Sequence, residues 1–411
     1  MGKTKSERAL KGGTASLLLL LFLSVAIPGC QKPAGPGPQA SSPPAAQAEV
    51  LRPQKAESGL DRLFYHIGGL PDPAGRPWPE EASWSAFAEL AGREWANFDG
   101  TVLGPMKNWA WTELRDARAG TQSLFYPFGG PDFVTAYTLF PEARETVLLG
   151  LEQVGNLPDL EGASPAWREA YFADMSFLIA EFFKRGYFIT KDMTDVYGRG
   201  KVDGALSIIA FFLARGGYSV VEVTRLTPDG QGGWKETPYE RLTSLPRRPY
   251  GARIAYRKSG DPEVRSVVYF SCDIENKAFP AGSPLHEYFA GLEGTTTFVK
   301  SGSYLLQYTD FSILRDLILD RSLYVLQDDS AVPYRYFKNG GWEIKLFGQY
   351  AAPIKDFSNN VEQPDLKQAY EADGAAVAPL PFKFGYHWRT QIDNLLLAKR
   401  PQRPAKTPVP R

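Results

Sequence analysis

The sequence predicts an α/β protein with a mixed sheet, flanking helices and a helical N-terminal subdomain. Three observations carry this. Residues 123–128 and 145–151 are short β-prone runs around a helical stretch at 133–140. Helical periods fill 59–67, 83–97 and 108–118. Extended runs at 218–226, 252–258 and 264–274 precede a second strand, helix, strand passage at 295–327. Short strands alternating with helices favour parallel pairing.

In chain order, Leu60, Leu63, Phe64 and Ile67 share one helical face, and Gly68-Gly69 offers a C-cap. Trp84, Phe87, Leu90 and Trp95 are the apolar positions of a second helix with Ser83 as a cap; a third, 108–118, closes at Gly120. The helix at 133–140 stops at Pro141. Tyr171, Met175, Leu178 and Phe182 lie on one face of a long helix over 166–185, and 203–215 forms another that ends at Gly216-Gly217. Ser259 to Pro262 joins 252–258 and 264–274 as a hairpin, while 227–250, rich in Gly and Pro, reads as a long loop of the kind that carries function. Strands at 295–299, 303–307 and 322–327 with a helix at 311–319 complete the pattern.

The ends belong to a different class of sequence. Lys3, Lys5, Arg8 and Lys11 precede an apolar run from Ala15 to Ile27, too short for a span of about 20 residues and typical of a secretion signal. Ile27-Pro28-Gly29-Cys30 resembles the lipobox of bacterial lipoproteins, with Pro28 where a small residue is usual. The resemblance implies cleavage before Cys30, a lipid such as palmitate on the N-terminal cysteine, and anchoring in the envelope. Gln31 in place of aspartate favours the outer over the inner membrane, with the body in the periplasm or displayed on that membrane. The chain divides into a signal (1–29), a Pro/Ala-rich tether (30–57), the helical subdomain (58–120), the α/β body (121–398) and a basic tail (399–411).

The full chain carries 46 basic and 46 acidic residues, and cleavage at Cys30 leaves 42 against 45. That balance lacks the electrostatic footprint of a nucleic-acid binder. With Cys30 lipidated, Cys272 stands alone and reads as a small buried hydrophobe.

Familiar catalytic patterns do not fit. Phe128-Gly-Gly-Pro-Asp-Phe133 has neither phosphate-loop spacing, and Asp132 would occupy the helix end a phosphate would seek. His286-Glu287 lacks the second histidine of a helical zinc site, and the chain has three histidines in all, widely separated. Lys300-Ser-Gly-Ser-Tyr304 lacks the nucleophile elbow. No cofactor is specified, and a metal is left open.

A pattern of position remains. Three expected strands end in acids: Asp132, Glu152 and the pair Asp328-Asp329. Ligands of open α/β sheets bind outside the carboxyl ends of strands, so these candidate catalytic carboxylates can share a crevice. Each can equally cap a helix or tie down a turn. Tyr126, Arg335, Tyr336, His387 and Arg389 are candidate ligand contacts, able to stack on and hydrogen-bond a sugar-like or anionic molecule.

Taken together, Tyr126-Pro-Phe-Gly-Gly-Pro-Asp132, Phe140-Pro141, Gly150-Leu-Glu-Gln-Val-Gly155, Leu157-Pro158, Leu326-Gln-Asp-Asp-Ser330 and Tyr334-Arg-Tyr336 resemble a family of bacterial secreted proteins without an assigned activity. Two readings follow. The first is an envelope lipoprotein whose body binds a small molecule or envelope component. The second is a carboxylate-based hydrolase, with or without a metal, acting on an envelope or sugar-like substrate.

Overall fold

A computed structural model describes residues 59–401, apart from 79–81, 259, 351, 356, 358–360, 375–376 and 390–391. The signal, Cys30, the tether and the end of the basic tail lie outside the described residues. The centre of the fold is a ten-stranded mixed sheet in the order β4-β3-β5-β6-β2-β1-β7-β8-β10-β9. The strands are β1 (Ser123–Tyr126), β2 (Glu145–Gly150), β3 (Tyr218–Pro228), β4 (Trp234–Pro238), β5 (Tyr250–Lys258), β6 (Arg265–Ser271), β7 (Thr295–Val299), β8 (Tyr324–Gln327), β9 (Glu343–Gly348) and β10 (Asn394–Lys399).

The middle five strands, β6, β2, β1, β7 and β8, pair in parallel, and antiparallel strands extend the sheet on both sides. Burial on both faces explains the uninterrupted apolar run of β1, all four of whose residues are buried. From β1 the chain proceeds to β2 and later β6 on one side, then to β7 and β8 on the other. The strand order therefore reverses between β1 and β7, where an open α/β sheet leaves a crevice at its carboxyl edge.

One face carries α1 (Gly59–Ile67), α2 (Ala82–Phe98), α3 (Gly104–Glu113), α4 (Arg115–Gly120), α5 (Phe133–Leu139), α6 (Pro165–Arg185), α7 (Thr190–Arg199) and α8 (Ala205–Arg215). A π-helical turn, Asp99–Leu103, joins α2 to α3, so the third expected helix becomes two shorter ones. The N-terminal helices share one continuous core with the sheet: Phe64, Phe87 and Leu103 pack in the same cluster as Tyr126, Leu148 and Tyr269. Helix α8 is buried along ten of its eleven residues, which accounts for its sequence being apolar all round. Ser164 caps the start of α6 by accepting from the Trp167 N–H at 3.3 Å, and Gly186, at φ 74°, ends it.

The other face is covered by α9 (Pro284–Ala290), α10 (Ser312–Arg321), α11 (Tyr334–Asn339) and α12 (Pro364–Asp373), over a second core that includes Phe125, Val268, Phe289 and Ile318. The expected strand at 303–307 is instead a tight turn ending in a 3-10 helix, Leu305–Gln307. The expected long loop at 227–250 contains the edge strand β4. Among the described residues, no helix is long and apolar enough to cross a membrane.

Candidate functional site

The loops that leave β1, β7 and β8 meet at the β1/β7 reversal, where a topological switch point would place a ligand. Asp132 answers the question its position raises in two ways. It caps α5, where its Oδ1 accepts from the Thr135 N–H (3.2 Å) and hydroxyl (2.8 Å). Its Oδ2 accepts from the Tyr126 hydroxyl at 3.0 Å and lies 2.5 Å from the Lys300 ammonium. Both side chains of that ion pair are buried, 2% exposed for Asp132 and 5% for Lys300.

Lys300 also donates to the Thr135 hydroxyl (2.9 Å) and to the Gly186 carbonyl at the end of α6 (2.7 Å), so its three donors are matched by three acceptors. It fastens β7 to the start of α5 and the end of α6. A lysine directly following the largely β-branched run Thr295–Val299 is the signal by which it could have been found in the sequence. The sequence reading placed no role on it.

Asp328 is held by backbone donors. Its Oδ2 accepts from the Ser301 N–H at 2.8 Å, and its Oδ1 accepts from the Ser330 N–H at 3.0 Å and from the Ser330 hydroxyl. Burial and the neighbouring Asp329 charge push its carboxyl up to about 6, against the pull of these donors. Gly385 crosses directly over Oδ2, where a side chain would collide with the carboxylate.

Asp329 takes a different set of donors. It accepts from the Tyr304 hydroxyl at 2.7 Å and the Asn394 amide at 2.9 Å, and burial raises its carboxyl despite those donors. The four acids therefore do not form one cluster. Asp132 and Asp328 both act on Tyr126, whose hydroxyl is raised well above its ordinary value, first by burial and then by the Asp132 charge. Glu152 sits one strand over, beyond β2, beside Gly130 and Tyr269, whose hydroxyl donates to the Glu152 carbonyl at 2.9 Å.

His387 is buried over Asp328, and burial lowers its pKa while the Asp328 and Asp393 charges oppose that shift. Asp393 is pushed up to about 6 by burial. The other candidate contacts lie elsewhere. Arg335 and Tyr336 ride on α11, with the exposed Arg335 guanidinium 5.1 Å from the Tyr336 ring and Arg315 of α10 4.5 Å from it. Tyr336 packs against the core on the far face of the sheet from Tyr126. Arg389 is exposed. Arg335 and Tyr336 ride on α11 after β8, whereas His387 and Arg389 belong to the segment that precedes β10, so nearness along the chain to Asp329 and His387 does not fix where these side chains lie. His66 stacks on Trp78 at 4.1 Å and His286 pairs with Glu287 of its own helix at 3.1 Å, so the histidines do not assemble. Among the described residues, no group of three or more His, Cys, Asp or Glu is placed to hold a metal ion.

Backbone conformation marks the same crevice. Among the described residues, the non-glycine residues with positive φ are Phe128 (67°), Ser301 (56°), Ser303 (53°) and Tyr304 (56°). All four lie on the loops leaving β1 and β7. Each costs of order 1–3 kcal/mol and persists only where surrounding contacts hold it. Here the stitches are Gly302 N–H to the Ser330 hydroxyl (2.6 Å) and Tyr304 N–H to the Ser330 carbonyl (2.9 Å). The strained turn presents hydroxyls: Ser303 meets the Tyr386 hydroxyl at 2.9 Å, Tyr386 lies 2.9 Å from the Ser301 carbonyl, and the Ser301 hydroxyl has no partner.

The structure thus defines a mixed α/β protein with a buried polar cluster and a conformationally strained turn at the reversal of its strand order. No family model, curated protein or solved structure matches the chain.

Proposed function

We propose that this protein is an exported lipoprotein, tethered through Cys30, whose α/β body binds a small hydroxyl-rich molecule or envelope component in the crevice between β1 and β7. The observation that carries the binding reading is the confinement of all four strained residues to the two loops flanking the strand-order reversal. Strain held in place by a dense hydrogen-bond network is characteristic of ligand clamps. Ser303 and Tyr386, both half-buried, offer hydroxyls that can donate or accept, which suits a sugar-like ligand. The motifs that resemble a bacterial secreted family include both the β1 turn and the β8 acids.

Thermal unfolding of the full chain in detergent, against a panel of sugars and amino sugars, tests this. A ligand that raises Tm in wild type and fails to do so in Tyr386→Phe and Ser303→Ala supports the crevice. A response that survives both substitutions, or none across the panel, removes it. For the anchor, fatty-acid labelling of cells is expected to disappear in Cys30→Ala; persistent labelling ends the lipoprotein reading.

A hydrolytic reading draws on Asp328, whose raised pKa suits proton transfer near neutral pH. Against it, the oxygens of Asp132, Asp328 and Asp329 already accept from donors of the protein itself. Hydrolysis of a sugar-like substrate abolished by Asp328→Asn would favour it over simple binding.

A further inference from the structure

The segment over 227–250, singled out in the sequence for its length, becomes beyond β4 a loop with a basic and apolar surface. From 241 to 249 it reads Arg-Leu-Thr-Ser-Leu-Pro-Arg-Arg-Pro, with no acidic residue. Arg241, Arg247 and Arg248 are exposed, and so is Leu245, at 59%. Arginines on the adjoining strands are matched: Arg253 of β5 pairs with Glu145 at 2.6 Å and Arg265 of β6 with Asp261 at 2.9 Å. Among the described residues, no carboxylate pairs with any of the three loop arginines.

The loop is held in place. The Leu242 N–H donates to the Asn156 side chain at 2.8 Å, and the Leu242 carbonyl accepts from it at 3.2 Å. Arg248 donates to the carbonyl of Leu151, which lies just past β2 and is itself 49% exposed. Strand register fixes which way this surface faces. Gly150 at the end of β2 and Tyr250 at the start of β5 both lie opposite Ser271, the last residue of β6. The parallel strands end there, so the arginines and leucines stand at the carboxyl edge of the sheet, the edge that also carries the loops leaving β1 and β7.

Two chemistries meet in this loop. Guanidinium groups attract an anionic partner. An exposed leucine adds nothing against a soluble polyanion, whereas its burial among acyl chains is worth of order ten-fold or more in partition. Arginine suits that boundary, because its stem packs on apolar chains while its head bonds phosphates. The charge is local to the loop, since cleavage at Cys30 leaves 42 basic residues against 45 acidic ones. We infer that the Arg241–Arg248 loop docks on an anionic phospholipid surface and turns the carboxyl edge of the sheet toward the membrane. A lipid on Cys30 brings the body near a membrane in any orientation; the loop selects one. The inference rests on the anchor only for that nearness, and it does not depend on a ligand at the β1/β7 turn.

The test uses the full chain reconstituted in phospholipid vesicles, with an environment-sensitive fluorophore on Ser244→Cys. Its signal is taken over that of the chain without the added cysteine, and Cys272 is buried. In vesicles containing phosphatidylglycerol the label is expected to shift to the blue and to be quenched by brominated acyl chains. In phosphatidylcholine alone it is expected to stay in water, as is the same label on the exposed Thr112→Cys of α3 in either vesicle. Each arginine near an anionic surface is worth about five-fold, so Arg241→Ser, Arg247→Ser and Arg248→Ser together are expected to lower the ratio of docked to free loop about 100-fold. Leu245→Ser is expected to weaken acyl-chain quenching about ten-fold and to keep the preference for phosphatidylglycerol. Both variants are expected to keep the wild-type Tm, since no buried side chain is removed. In Cys30→Ala the phosphatidylglycerol-dependent quenching is expected to persist at higher lipid concentration, which tells loss of the anchor from loss of docking. Equal quenching in the two kinds of vesicle, quenching that survives removal of the three arginines, or none at all overturns the inference. Protection of the label by polyglutamate without acyl-chain quenching overturns its lipid form in favour of an acidic protein partner.

Discussion

Replacing Lys300 with methionine tests whether the buried ion pair fastens the crevice. Breaking one partner of a buried pair leaves the other charge uncompensated, at about 3–5 kcal/mol. Asp132 would keep its donors from Tyr126 and Thr135, which places the expected cost at the lower end, about 3 kcal/mol. The carbonyl of Gly186 would lose its ammonium donor as well, loosening the end of α6. In Asp132→Asn the same logic runs from the other side. The double variant, with neither charge, is expected to recover about 1–3 kcal/mol relative to the sum of the singles. Urea unfolding of all four proteins at neutral pH measures the cycle. A Lys300→Met cost below about 1 kcal/mol, or strict additivity, would refute the view that these groups act as a pair.

Two further outcomes follow from burial and backbone geometry. Burial holds Asp393 near 6, beside Asp328, also near 6, with His387 and Lys383 facing it. A folded pKa above the unfolded value, about 3.9 for aspartate, means stability that is complete below about pH 4 and is lost as pH rises through about 6. His387, lowered by burial, acts in the opposite sense, losing stability as pH falls below about 6.5. Asp393→Asn removes one of the two carboxylate contributions, so between pH 5 and pH 7.5 the variant should gain about 1–2 kcal/mol on wild type in urea melts; a pH-independent difference contradicts this. Gly155, at φ 73°, has Gly204 so close that a Cβ would stand 2.5 Å from its Cα. That contact lets the Gln153 and Val154 carbonyls accept from the Ala205 and Leu206 N–H groups at the start of α8, both at 3.0 Å. Gly155→Ala is therefore expected to cost about 3 kcal/mol, through left-handed strain plus the clash, and a loss under about 1 kcal/mol would sink that account.

Much of the architecture was legible because it is locally encoded. The 123–151 strand, helix, strand unit, the helices at 59–67, 83–97, 166–185 and 203–215, and the 252–274 hairpin announce themselves by hydrophobic period and by glycine or proline at their ends. The C-terminal third was harder to read. The short helices α9 and α11 and the strands β9 and β10 take their stability from packing on the sheet, and strands this short carry little periodicity of their own. The turn at 303–307 looked like a strand because Tyr304 and Leu306 are apolar and buried, yet positive φ at Ser303 and Tyr304 folds the chain back.

The candidate site divides the same way. From the sequence alone came the expectation of a site at the carboxyl ends of strands, with the acids Asp132 and Asp328 among its candidates. Only the tertiary structure decided that Lys300 neutralises Asp132, that Asp329 takes its donors from Tyr304 and Asn394, and that Arg335 and Arg389 are exposed. The physical reason is range. Period, caps and turns act over a few residues and are written along the chain, whereas charge pairing and burial act through space between strands whose order the sequence does not state.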